Sequence, residues 1–511
     1  MVRRNFVYGA AILFGANLLN RILGFVYQYL IMVHVGGEAY GLFAQVFPIY
    51  MMALVLTTAG IPLAVSKLVS EEVTVGKYRQ AKAVFRLALG ILCVSGFLVT
   101  VILYVFAVSM AGRIIADPRV IPVLIMCTPA IFVVSVSSAY RGYFQGLQNM
   151  LPTAMSQTLE QIVRVCLGFW AALYFLPRGI AFAAMGLAFG MLAGEVVGFL
   201  AIAMQYRWHK LPQRSAREEK LSSKWYILAR IYNLAAPVTA GRLLSTGLSS
   251  LDAIIIPSRL QAAGFTARQA TTLFGQLGGA GFTLLSFPSV FTFALATSLV
   301  PALAEAKARK SFRIIRDGSS EAIRVTVIFG LPCLVTIFFF AEPLTAFFNS
   351  PNIAPVLRIL AIGGIFSYLQ QTTTAVLQGL GKAQLPVANS IIAAGIRIPL
   401  LYWLTGLPAW GLIGSAWAFT AGFITGAVLN IAAIIRQTGM QIDWHRLGSQ
   451  PFAAALGMLL TFILSTPSRS GHIVYYLDEM AAGMIVYLII LFFNRGITVR
   501  EIRSVLGLKS Q

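Results

Sequence analysis

The apolar residues of this chain are gathered into runs of about 20 or more, separated by short polar connections. A helix rises 1.5 Å per residue, so roughly 20 apolar residues cross the hydrocarbon layer of a bilayer, about 30 Å thick. Fourteen such runs are read at 6–33, 41–66, 87–110, 120–140, 153–176, 180–205, 232–257, 273–303, 325–347, 354–379, 386–406, 411–435, 451–466 and 475–494. Composition leaves no soluble alternative. Of the residues, 58% are hydrophobic and only 11% charged, where a soluble domain carries about 25% charged residues. The expected fold is therefore an all-α membrane protein of about fourteen transmembrane helices. Arg3 and Arg4 precede the first run as in a signal peptide, but many spans follow and no small-residue cleavage site is evident, so the run reads as an uncleaved first helix.

A net charge of +22 would suit nucleic acid, but the placement of the charge argues against it. Lys67, Lys77, Arg79, Lys82, Arg86, Arg207 through Arg230, Lys307 through Arg324, Arg495, Arg500, Arg503 and Lys509 all fall on connections of one side. The opposite connections hold only Arg113, Arg119, Arg178, Arg259, Arg268, Arg358 and Arg469. By the positive-inside rule the first set is cytoplasmic, and with it both termini. The basic excess is thus topological, and no nucleic-acid partner is expected. Cys93, Cys127, Cys166 and Cys333 lie in or near apolar runs without metal-like spacing, and none of the four histidines has the neighbours of a metal site. No metal is expected.

The chain also repeats itself. Residues 145–164 (QGLQNMLPTAMSQTLEQIVR) and 378–397 (QGLGKAQLPVANSIIAAGIR) share Gln-Gly-Leu, Leu-Pro and a closing arginine at an offset of 233. Gly41 to Glu71 parallels Gly275 to Glu305 at an offset of 234. Two matches at nearly one offset imply duplication of a six-span unit. An even number of crossings gives both copies the same orientation, the parallel-repeat arrangement. The expected organisation is a first lobe over 1–205, a basic cytoplasmic linker over 206–231, a second lobe over 232–436, and a pair of unduplicated helices with a basic tail over 437–511.

Ionisable groups deep inside spans carry the functional signal, because each is costly unless paired or water-facing. Arg21 lies about 22 Å into the first span by helical rise, and Arg164, Arg242 and Arg397 lie about 16–18 Å into theirs. Arg141 sits nearer the cytoplasmic end of the fourth. Only Glu160, Glu195 and Asp252 are comparably deep acids. Glu160 and Arg164 are four residues apart, acid first, the favourable order for a helical pair. Arg397 has Ala393 at the corresponding position. A surplus of intramembrane guanidinium groups suits an anion, and arginine matches phosphate with two parallel hydrogen bonds. Prolines and glycines within spans, among them Gly60, Pro62, Pro288 and Pro301, are candidate bends. No nucleotide-binding motif, nucleophile–base set or catalytic carboxylate cluster is present, so neither ATP drive nor an enzyme is expected.

NRILGFVYQYLI (20–31), IPLAVSKLVSEE (61–72), YRGYFQGLQNMLPTAMSQTLEQIVRV (140–165) and SLVPALAEA (298–306) resemble the stage V sporulation protein B group of polysaccharide-transport proteins. That group lies in the multidrug/oligosaccharidyl-lipid/polysaccharide (MOP) exporter superfamily, with the lipid II flippases and, more distantly, multidrug and toxin extrusion antiporters. The resemblance implies two six-helix lobes around a V-shaped cavity, plus two extra helices. It also implies translocation of an undecaprenyl-pyrophosphate-linked saccharide across the cytoplasmic membrane by alternating access. Arg21-Ile-Leu-Gly-Phe25 is similar to a first-span stretch of lipid II flippases, although Tyr27 and Gln28 stand where those commonly have a further arginine. On this reading Arg21, Arg164, Arg242 and Arg397 bind pyrophosphate, and Asp252, Glu195 or Glu160 couples to an ion, Na+ or H+. No other cofactor is expected, the partners are the lipid-linked substrate and membrane lipids, and the protein acts as a monomer. A cation-coupled multidrug antiporter of the same architecture is the alternative, and it would rely on cavity acids rather than arginines.

Overall fold

A computed structural model of the 511-residue chain describes all residues except 1, 59, 114–116, 210–221, 442, 466–475, 495 and 497–511. Residues 210–221 of the expected basic linker and nearly all of the basic tail lie outside the described residues. The rest is helical, with no strand among the described residues. In chain order the helices are α1 (Val2–His34), α2 (Gly37–Thr58), α3 (Ile61–Thr74), α4 (Tyr78–Arg113), α5 (Ile121–Gly146), α6 (Leu151–Phe175), α7 (Ile180–Trp208), α8 (Lys224–Ala262) and α9 (Ala267–Gln276). They continue with α10 (Thr283–Ser286), α11 (Ser289–Ala308), α12 (Phe312–Phe339), α13 (Ala341–Phe347), α14 (Ala354–Gly379), α15 (Gln384–Thr405), α16 (Gly411–Thr438), α17 (Gln450–Leu464) and α18 (Leu477–Phe493).

Among the described residues, eleven helical stretches are long and apolar enough to cross a membrane. The runs at 6–33 and 232–257 lie within α1 and α8, and residues 477–493 of the run 475–494 form α18. Large apolar side chains such as Phe97, Ile102 and Leu464 are more than half exposed, as lipid-facing residues are.

The spans are less continuous than their apolarity suggests. The run 41–66 is split between α2 and α3, with Gly60 preceding α3 and Pro62 in its first turn, where a missing N–H costs nothing. The run 273–303 begins earlier, at α9, passes through a π-helix over Leu277–Phe282 and breaks again at Phe287–Pro288. The run 325–347 ends at Phe339, and the short α13 follows separately. Hydropathy registers none of these breaks, because glycine and proline interrupt a helix without making it polar.

The chain divides into two compact units, residues 1–261 with 265–279, and 262–264 with 280–511. By packing, α8 and α9 go with the first unit, whereas the repeat boundary would start the second lobe at 232. The reason lies in the contacts of α8: Gly60 donates its backbone N–H to Thr239 at 2.9 Å, the Ser250 hydroxyl reaches the Pro48 carbonyl at 3.2 Å, and Arg230 pairs with Glu71 and Glu72 at 2.7 Å. Within the second unit, α17 and α18 pack on α12 through Leu331, Met458, Phe462 and Leu491. The Tyr487 hydroxyl caps that contact by donating to the Ile328 carbonyl at 2.9 Å.

Candidate transport site

In the first unit α6 and α7 meet along a stripe of glycines at every fourth residue, Gly186, Gly190, Gly194 and Gly198. Residues four apart stack on one face of a helix, so removing their side chains lets two backbones approach closely. A Cβ on Gly186 would lie 2.7 Å from the Ala171 carbonyl carbon, and one on Gly190 would fall on the Cα of Gly168. A Cβ on Gly194 would lie 2.6 Å from the Glu160 carbonyl oxygen and 3.2 Å from the Arg164 Cβ. At the end of the stripe the Ser156 hydroxyl donates to the Gly198 carbonyl at 2.9 Å. The Tyr27 hydroxyl lies against Gly168, bringing α1 to the same contact.

That close approach assembles an ionic cluster. Arg164 Nη2 donates to Glu160 Oε1 at 2.6 Å and to Glu195 Oε1 at 3.0 Å. Arg141, on α5, donates to the other Glu160 oxygen at 2.8 Å. Two guanidinium groups thus face two carboxylates, and the four formal charges cancel. Glu195 is buried, and its Oε2 accepts no hydrogen bond among the described residues. Three of the residues read from the sequence as separate pyrophosphate and ion ligands therefore form one network. Arg164 is not the unpaired cation that an anion site was expected to supply. The (i, i+4) spacing had exposed the Glu160–Arg164 pair, whereas the contributions of Arg141 and Glu195 depend on helix contacts that the spacing does not report.

The second unit places Arg397 differently. Glu160 corresponds at the repeat offset to Ala393, and α14, α15 and α16 contain no aspartate or glutamate at all. The Arg397 guanidinium lies over the Phe419 ring, 5.2 Å from its centroid. A Cβ on Gly422 would lie 3.0–3.3 Å from the Arg397 side chain, so this glycine makes room for the arginine. Elsewhere in the same three helices the buried Asn430 is a polar hub. It accepts from Asn389 at 2.9 Å and donates to Thr374 at 3.1 Å.

The remaining candidates stand apart from the cluster. Arg21 on α1 and Arg242 on α8 are exposed, and Asp252 on α8 is half-buried. None of the ion pairs described around Glu160 and Glu195 includes them. The glycine stripe is legible in the sequence as four glycines spaced by four in α7, whereas Phe419 and Asn430 carry no local signal that separates them from packing residues. Among the described residues no group of three or more His, Cys, Asp or Glu could hold a metal ion.

Comparison with known proteins agrees with this architecture. Residues 6–307 match the polysaccharide biosynthesis protein family, and residues 278–403 match the MatE family. Stage V sporulation protein B of Bacillus subtilis (strain 168) is 30% identical over 99% of this chain and 98% of its own length. Lipid II flippase MurJ of the same organism is 25% identical over 84% of this chain and 82% of its own. A solved structure described as lipid II flippase MurJ in an inward closed conformation superposes with a TM-score of 0.72 at 16% identity, covering 94% of this chain and 98% of that one. With more than half its length matched and a full-length relative at 30% identity, the chain belongs to the polysaccharide biosynthesis protein family, among the stage V sporulation protein B-like members of the MOP superfamily.

Proposed function

We propose that the protein is a flippase for an undecaprenyl-pyrophosphate-linked saccharide, such as lipid II or a related wall or cortex precursor. It crosses the cytoplasmic membrane fourteen times, with both termini in the cytoplasm and two parallel six-helix lobes. The observation that carries this reading is Arg397, an intramembrane arginine that Gly422 makes room for and whose guanidinium lies over the Phe419 ring. Its planar fork matches the paired oxygens of a pyrophosphate, which it can bind with two parallel hydrogen bonds. The relatives support the same class of substrate, since one is named as a lipid II flippase. Arg21 and Arg242, exposed on α1 and α8, are the further cations assigned to the pyrophosphate.

The ionic cluster supplies the coupling. As it stands, Arg164 is neutralised by Glu160 and Glu195. A proton on Glu195 would leave the cluster with a net positive charge and free Arg164 to take part in anion binding. H+ suits this site better than Na+, because a metal cation would have to approach two guanidinium groups and take carboxylates already engaged. Asp252 is assigned the same task on α8.

Translocation in proteoliposomes tests the reading. Purified protein should move a defined undecaprenyl-pyrophosphate saccharide between leaflets, and a pH gradient should change the rate. A chain that moves no such lipid, but confers resistance to cationic drugs when overproduced, would instead be the multidrug antiporter.

A further inference from the structure

At the end of the first unit away from the basic connections, three chain segments are tied by a buried polar network. Asp117, 2% exposed, receives Arg119 at 2.9 and 2.7 Å and the Arg119 backbone N–H at 3.1 Å. The same carboxylate accepts the Thr271 hydroxyl at 3.0 Å, and that hydroxyl accepts Gln45 at 3.1 Å. Glu38 accepts Arg119 at 2.6 Å and Arg268 at 2.9 Å. The start of α2, the connection before α5 and the whole of α9 are therefore clasped by two carboxylates and two guanidinium groups. Glycines bring the helices close enough for this: a Cβ on Gly275 would lie 2.7 Å from the Gly41 N and 2.8 Å from its Cα. These are the two glycines that the repeat equates.

The π-helix Leu277–Phe282 follows α9 directly, and the boundary between the compact units falls inside it, between Gly279 and Ala280. Its sequence, LGGAGF, is half glycine. A π-turn holds one residue more than the α-ladder accommodates, and glycine imposes little conformational restriction, so this is where the span bends most cheaply.

We propose that α9 is a latch, held on the first unit by the Glu38–Asp117–Arg119–Arg268–Thr271 clasp and swinging about the π-helix to open this end of the protein. Two buried carboxylates with charge-assisted partners make the closed position discrete, and the glycine-rich turn lets α9 move without unfolding the rest of the span. The latch rests on the transport reading above, to which it adds a moving part.

Thiol labelling tests it without substrate. With Cys93, Cys127, Cys166 and Cys333 replaced by alanine, Ala270→Cys puts a reporter on a fully buried face of α9. The full chain in lipid nanodiscs is treated with a membrane-impermeant maleimide. Asp117→Asn should raise the labelling rate about tenfold, and Arg268→Gln about fivefold, within the usual range of conformational coupling. Arg268 is 73% exposed, so its replacement does not threaten folding and decides the matter if Asp117→Asn yields no monodisperse protein. Gly278→Ala, whose added Cβ meets only the Tyr40 ring at 3.4 Å, stiffens the turn and should at least halve the raised rate. Unchanged labelling in Arg268→Gln and Asp117→Asn would overturn the latch, and an unaltered raised rate in the Gly278→Ala background would overturn the hinge. A chain that labels as expected yet carries no lipid would refute the substrate and leave the latch standing.

Discussion

Arg164 holds Glu195 at 3.0 Å across the contact between α6 and α7, while its repeat counterpart Arg397 lies over an aromatic ring on helices that contain no acid. The two positions matched at the repeat offset thus carry the same residue in different surroundings. One is neutralised by two carboxylates, and the other is set over the Phe419 ring.

If the first-unit cluster is a mutually neutralised set, removing one member leaves a buried charge without compensation. Arg164→Ala should destabilise the protein by about 3–5 kcal/mol, seen as a lower melting temperature in detergent. The double change Arg164→Met, Glu195→Gln, which removes one charge of each sign and leaves Arg141 paired with Glu160, should recover much of that loss. Equal melting temperatures for wild type and Arg164→Ala would show that the cluster contributes nothing to stability.

The glycine stripe sets the distance across which Arg164 and Glu195 meet. A leucine at Gly194 has no room, since its first side-chain carbon would already lie 2.6 Å from the Glu160 carbonyl oxygen. Overpacking of this kind costs about 1–3 kcal/mol, and here it would also part α6 from α7. Gly194→Leu should therefore lose transport and stability together. Gly241→Ala, where a Cβ would have open space, should change neither measurably.

Much of this architecture is visible in the one-dimensional pattern. Apolar runs and the asymmetry of lysine and arginine locate helices and suggest their orientation, because bilayer thickness and membrane charge act on every span alike. The (i, i+4) relation of Glu160 to Arg164 was legible for the same local reason. Arg141 and Glu195 were not, since their approach to Glu160 and Arg164 depends on tertiary contacts between helices. Nor did hydropathy find the breaks at Gly60 and Leu277–Phe282, where glycine changes the backbone while leaving the sequence as apolar as before. The membership of α8 in the first unit was likewise hidden, because it rests on contacts such as Gly60 to Thr239.

The clasp makes a pH prediction. Burial pushes the Asp117 carboxyl up, but the Arg119 side chain and backbone, its charge and the Thr271 hydroxyl together outweigh burial and hold the group below its ordinary value. A carboxylate depressed in the folded state stabilises the clasp above its unfolded pKa, near 3.9. That contribution is lost only as pH falls through the lower folded value. Hydrogen exchange of the α9 amides, corrected for intrinsic rates, should be flat between about pH 5 and pH 8 and should accelerate only below about pH 4. Acceleration already at pH 6 would contradict the Asp117-centred clasp.

The central claim is that Arg397 meets the pyrophosphate of a lipid-linked saccharide. A lysine would keep the charge but lose the planar fork that matches paired phosphate oxygens. The most direct measurement is the initial rate of translocation of an undecaprenyl-pyrophosphate disaccharide in proteoliposomes, for wild type, Arg397→Lys and Arg397→Gln at equal amounts of folded protein. The expected result is a loss of about tenfold or more for Arg397→Lys and a larger loss for Arg397→Gln, since a charge-assisted hydrogen bond contributes roughly 1.5–3 kcal/mol. Wild-type translocation in both variants would contradict the account.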